Sequence, residues 1–149
     1  MPEAAWIDEL ATVVERGHGE EAAAAARALI HGSAAMRLRQ THQPPSLSGA
    51  AFVAVMPGML NDVELFALFA KGGRVVVQMK ALRKINPFRV AEQEQVLRGR
   101  LAEIPGFKMD KLDYPDVTLA KLADPDAQER FVDIMRWTVD KVRKSNGLS

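Results

Sequence analysis

The chain has 149 residues, of which 48% are hydrophobic and 26% charged, and its formal net charge is +1. That length and balance fit one globular domain with a real core and argue against disorder. It contains no cysteine, which excludes disulfides, a Cys-ligated zinc site and a thiol nucleophile within it.

Met1 to Leu10 carries Glu3, Asp8 and Glu9 without a basic or apolar leader region, so no secretory signal is expected and the expected location is cytoplasmic. The alanine run Ala22–Ala26 stops at Arg27, and the apolar tract Ala50–Leu60 is broken by Pro57-Gly58. Neither reaches the length of a membrane span, so no membrane partner is expected.

Trp6, Ile7, Leu10, Val13 and Val14 recur at the helical period and predict an amphipathic helix over about 3–16. A second helix is predicted over about 20–40, rich in alanine and opened by Glu20-Glu21, where the helix dipole favours acids. Thr41 to Gly49, with Pro44-Pro45, reads as a hinge loop. The helical pair before it is therefore either a separable arm or part of the core.

Ala51–Met56, Val63–Ala70 and Arg74–Leu82 read as three strands, the last two joined by a hairpin turn at Lys71-Gly72-Gly73. A helix over Asp62–Ala70 competes, because Asn61 and Glu64 have capping-box spacing. The strand is favoured by the Phe-rich run beside Gly-Gly and a valine triplet. Asn86-Pro87 and Asp124-Pro125 each pair an N-cap with a first-turn proline, and predict helices ending near Pro105-Gly106 and Lys144. Val117–Leu122 reads as an edge strand or an extended segment.

These elements predict one α+β domain over 1–149: an N-terminal helical pair and a three-stranded antiparallel meander with helices packed on one face. Within it, 1–40 is the helical arm, 41–49 the hinge and 50–144 the core.

Charge is uneven. Between Lys71 and Arg100 stand eight basic residues against Glu92 and Glu94, about +6 in a chain of net +1. Lys80, Arg83, Lys84 and Arg89 surround the end of a strand and the start of a helix, where phosphate or an acidic surface could be met. Phe88 is the one aromatic residue of that segment, and no helix-turn-helix or RNP-like motif accompanies it.

Residues 72–80, Gly-Gly-Arg-Val-Val-Val-Gln-Met-Lys, resemble the Gln-x-Lys strand of PD-(D/E)XK nucleases, the Mrr-type restriction endonucleases among them. The resemblance implies catalytic candidates Asp62, Gln78 and Lys80, with Asp62 and Gln78 on Mg²⁺ and Lys80 positioning or activating water. On a strand, residues two apart share a face, so Gln78 and Lys80 would enter one pocket. Outside that segment, His18, His31 and His42 lack ligand spacing, so no metal site is expected from them. Asp110, Asp113 and Asp116 read as solvated loop acids.

The reading is a small binding or interaction protein, non-catalytic and without cofactor, whose partner is another protein or itself as a homodimer. The alternative is nucleic-acid binding or a divergent metal-dependent nuclease.

Overall fold

The computed structural model describes residues 3–57 and 61–147. Along the chain run α1 (Ala5–His18), α2 (Glu20–Ala35), β1 (Arg39–His42), β2 (Phe52–Met56), β3 (Val63–Phe69), β4 (Arg74–Val77) and α3 (Met79–Leu82). After them come α4 (Ala91–Ala102), β5 (Asp116–Thr118), α5 (Leu119–Leu122) and α6 (Pro125–Ser145). The α+β class stands. The expected three-stranded meander is corrected to five antiparallel strands in the order β1-β2-β3-β4-β5.

The two additional strands lie at the edges. β1 reads Arg-Gln-Thr-His, without apolar alternation, because Arg39, Thr41 and His42 are exposed. Its Gln40 turns inward, and the amide donates to Ile30 O at 2.8 Å and Ser33 Oγ at 2.9 Å. β5 is three residues long: the edge strand or extended segment expected over Val117–Leu122 is a strand only as far as Thr118, and Leu119–Leu122 turns into α5.

The β3–β4 hairpin forms where expected, and the competing helix over 62–70 does not. Gly73 takes φ +62° in its turn. The His18 ring from the end of α1 packs against it and donates from Nε2 to Lys71 O at 2.9 Å. The turn expected at Pro57-Gly58 lies partly outside the described residues.

β4 is shorter than expected and ends at Val77. Met79 and Leu82 are both fully buried. A strand would send these two positions to opposite faces, whereas one helical turn buries both on one side. The helix expected to open at Asn86-Pro87 begins instead at Ala91. The turns before it bury Phe88, whose ring centroid lies 6.0 Å from that of Trp137. At Asp124 the expected cap holds: Ala127 N–H donates to Asp124 Oδ2 at 3.0 Å.

The core lies between one sheet face and the helices. Phe52, Phe66, Leu68, Val75, Val77 and Val117 supply the sheet side. An aromatic ladder crosses it from Trp6 through Phe52, Phe66 and Phe131 to Phe107, with successive centroids 5.5–6.2 Å apart. The helical pair joins this core, its second helix ending at Ala35 rather than near Gln40: Ile7, Leu10 and Val14 of α1 and Ala22, Ala26, Leu29 and Ile30 of α2 belong to the same buried cluster as the sheet. The alanines let the two helices approach closely.

Among the described residues, no helix is long and apolar enough to cross a membrane.

Candidate interaction surface

β4 and β5 are antiparallel neighbours, so a few residues would suffice to connect them. The chain spends residues 78–115 instead, an excursion containing α3 and α4. It is anchored by Leu97, Leu101 and Ile104, all buried, and by the Arg100 guanidinium lying 4.3 Å from the Trp137 ring centroid on α6. Loops longer than a fold requires are where binding residues concentrate.

The excursion closes on itself through ionic bonds. Arg83, at the end of α3, donates to Glu94 Oε1 at 3.0 Å, to Asp113 Oδ1 at 2.7 Å and to Leu112 O at 3.2 Å. Arg98 donates to Glu94 Oε2 at 2.7 Å and also to Leu112 O. The Lys80 N–H donates to Asp113 O at 3.1 Å. One buried carboxylate and two guanidinium groups thus clamp the 110–114 loop onto α3 and α4. Burial alone would raise the Glu94 pKa, but hydrogen bonds from Arg98 and Arg83 outweigh it and hold the carboxyl below its ordinary range. Asp113 is lowered as well, chiefly by its bond from Arg83.

The clamped excursion also carries exposed apolar side chains. Leu112 is 64% exposed, Val90 52%, Val96 43% and Tyr114 41%. Four of the five large hydrophobic residues exposed among the described residues thus lie on 78–115; the fifth is Leu47. Around them Lys80, Lys84 and Arg89 are exposed and take part in no ion pair among the described residues.

Of the four basic residues singled out for binding, Lys80, Lys84 and Arg89 are therefore exposed, with Arg89 donating to Lys84 O at 3.3 Å. Arg83 is half-buried and committed to the clamp. The three residues of the nuclease resemblance are distributed otherwise than on one strand. Gln78 follows the end of β4 and its N–H donates to Leu65 O at 3.0 Å, while Lys80 stands on α3. Asp62 precedes β3 and pairs with Arg39 of β1. It lies three residues from Leu65, roughly 10 Å along the strand direction.

Among the described residues no group of three or more His, Asp or Glu is placed to hold a metal ion. The histidines have separate surroundings: His18 on the hairpin turn, His31 beside Glu3 at 3.0 Å, and His42 stacked on Trp6 at 4.3 Å. Asp116 departs from the expected solvated loop. It is buried in β5, with Oδ2 3.5 Å from Arg74 Nη1 and Oδ1 without a hydrogen-bond partner.

Leu112 and Tyr114 carried no signal in the sequence, and Val90, whose spacing with Leu97, Leu101 and Ile104 reads as the buried side of the helix after Asn86-Pro87, instead precedes that helix and is exposed. Residues 107–115 show no periodicity, and the carbonyl that holds Leu112 in place is bonded by side chains many positions away.

No family model matches the chain, and no curated protein or solved structure matches it either. The functional reading rests on the geometry of the chain itself.

Proposed function

We propose that this chain is a small, non-catalytic cytoplasmic binding protein that takes a protein partner, or a second copy of itself, on the face built by residues 78–115. The observation that carries the reading is the coincidence of four exposed large hydrophobic residues with unpaired cations on one clamped excursion. Apolar side chains in water beside charge are the usual composition of a surface that another protein covers. The clamp supports it further, because a face already held in place loses little freedom on binding.

The test compares capture from a nuclease-treated cell extract by the wild-type chain, by Leu112→Asp with Val90→Asp, and by Glu9→Lys on the distant exposed side of α1. A partner held by the wild type and by Glu9→Lys, lost from the double variant, and reproduced with the purified pair is the expected result. Capture indifferent to the double variant, together with unchanged self-association by sedimentation, would remove the reading.

Nucleic-acid binding is the second reading, favoured by the exposure of Lys80, Lys84 and Arg89. It predicts affinity for a labelled duplex that falls steeply with salt. Cleavage would further require Mg²⁺ and loss of activity in Asp62→Ala and Lys80→Ala.

A further inference from the structure

We infer that the occupant of the 78–115 face is an acidic protein segment carrying apolar side chains, an inference that rests on the protein-binding reading above. Two features of the face define its chemistry.

The first is charge. Two carboxylates of the excursion, Glu94 and Asp113, are consumed by Arg83 and Arg98. Their negative charge is neutralised inside the clamp, while Lys80, Lys84 and Arg89 are exposed and in no ion pair among the described residues, the Arg89 guanidinium donating to Lys84 O at 3.3 Å. Glu92, Glu103 and Asp110 are exposed on the same excursion, and Arg100, Lys108 and Lys111, also exposed, balance them in number. The outward field is therefore positive, and a negatively charged partner is drawn to it and oriented by it.

The second is apolar area. Leu112, Val90 and Tyr114 are exposed on the same excursion as those cations, and their backbone is held: Leu112 by two guanidinium bonds to its carbonyl, Tyr114 by following Asp113, whose carbonyl accepts the Lys80 N–H, and Val90 by accepting the Glu94 N–H at 3.1 Å. A phosphate backbone would satisfy the cations and leave Leu112 and Val90 in contact with nothing of matching chemistry. Bases could stack on Tyr114 alone. A segment in which carboxylates alternate with leucine or phenylalanine satisfies both features at once. Its carboxylates meet Lys80, Lys84 and Arg89, and its apolar side chains cover Leu112 and Val90. On this view the arginines and the lysines divide the labour: Arg83 and Arg98 shape the face, and the exposed cations select what lands on it.

The experiment uses the full chain and fluorescence anisotropy with four labelled probes. They are a short peptide of Asp and Glu interspersed with Leu and Phe, the same peptide with Leu and Phe changed to Ser, the same peptide with its carboxylates changed to amides, and a single-stranded oligothymidylate of equal charge. The acidic, apolar peptide is expected to bind most tightly. Removing either its apolar side chains or its carboxylates should weaken it about tenfold, equivalent to about 1.4 kcal/mol. Leu112→Asp, and separately Lys84→Glu with Arg89→Glu, should each cost about as much. Leu112→Ser serves as the milder variant, and unchanged thermal melting certifies that each variant is folded.

Oligothymidylate binding as tightly as the acidic peptide, with Leu112→Asp without effect, would overturn the inference in favour of a phosphate-binding surface. If no peptide binds while partner capture still depends on Leu112 and Val90, the partner class is wrong and the docking face stands. If capture is also indifferent to those residues, the functional reading itself has failed.

Discussion

Phe131 and Glu94 are both buried, and they are held by opposite kinds of force. Phe131 sits in the helix–sheet core with its ring edge-on to Phe66, 5.5 Å between centroids, and with Phe107 on another side. Burying a ring of that size contributes about 2–3 kcal/mol, with no dependence on salt or on protonation. Glu94 sits in the 78–115 excursion between two guanidinium groups. Its burial is tolerable only because both partners are present, and removing one would strand a charge. The core is thus stabilised by what it excludes, and the excursion by what it pairs. The difference explains how one small chain keeps a rigid frame while presenting apolar side chains to water at Leu112 and Val90. Ionic bonds from below hold the loop in a shape that hydrophobic collapse would not choose.

The comparison can be broken from either side. Phe131→Ala should have the largest effect, lowering global stability by about 3–5 kcal/mol through lost contacts and a residual cavity. Urea denaturation followed by circular dichroism would show it, and 0.1 M or 1 M salt should leave the difference unchanged.

Glu94→Ala is expected to cost about 3 kcal/mol, concentrated in the excursion. Hydrogen exchange of the Lys80 amide, which donates to Asp113 O, should accelerate while the amides of β3 stay protected. The same carboxylate sets a pH dependence. Because its folded pKa is lowered, its contribution is complete above the ordinary carboxylate range and is lost as pH falls through that range toward the lowered value. Thermal melts of the wild type should therefore fall more steeply in acid than those of Glu94→Gln. Equal slopes would mean that the clamp is not the seat of the excursion's stability.

Gly73→Ala tests where the frame meets the end of α1. The left-handed backbone and the overlap of a new Cβ with the His18 ring together should cost about 1–2 kcal/mol. In a His18→Ala background the same substitution should cost only the backbone part, about 1 kcal/mol, a non-additivity readable in a double-mutant cycle.

Leu112→Asp should change stability least, within about 0.5 kcal/mol by thermal melting, because its side chain is mostly in water. A large loss of stability would show that Leu112 is packing rather than offering a contact.

Much of the frame was legible in the chain. The stripe Trp6, Ile7, Leu10, Val14 marked α1; the valine triplet beside Gly72-Gly73 marked the hairpin; and Asp124-Pro125 marked the start of α6. Each is a local pattern that its own element satisfies through neighbours three, four or two residues away. The β1 edge was not legible for the opposite reason. β1 is a strand because β2 pairs with it, and the polar residues Arg39, Thr41 and His42 are compatible with many conformations. At Gln78 the alternation of the preceding valines extended the predicted strand, and the burial of Met79 and Leu82 on one side overruled it.

Composition alone determined that this chain has a core without disulfides, and spacing alone determined the α+β class and the basic stretch from Lys71 to Arg100. Which of those basic residues are free was decided by tertiary structure. Arg83 and Lys84 are adjacent in sequence, yet one reaches Glu94 and Asp113, respectively 11 and 30 positions away, and the other is exposed without an ion pair among the described residues. Pairing depends on distances that only the folded chain creates, so the same run of cations contains both the clamp and the face it exposes.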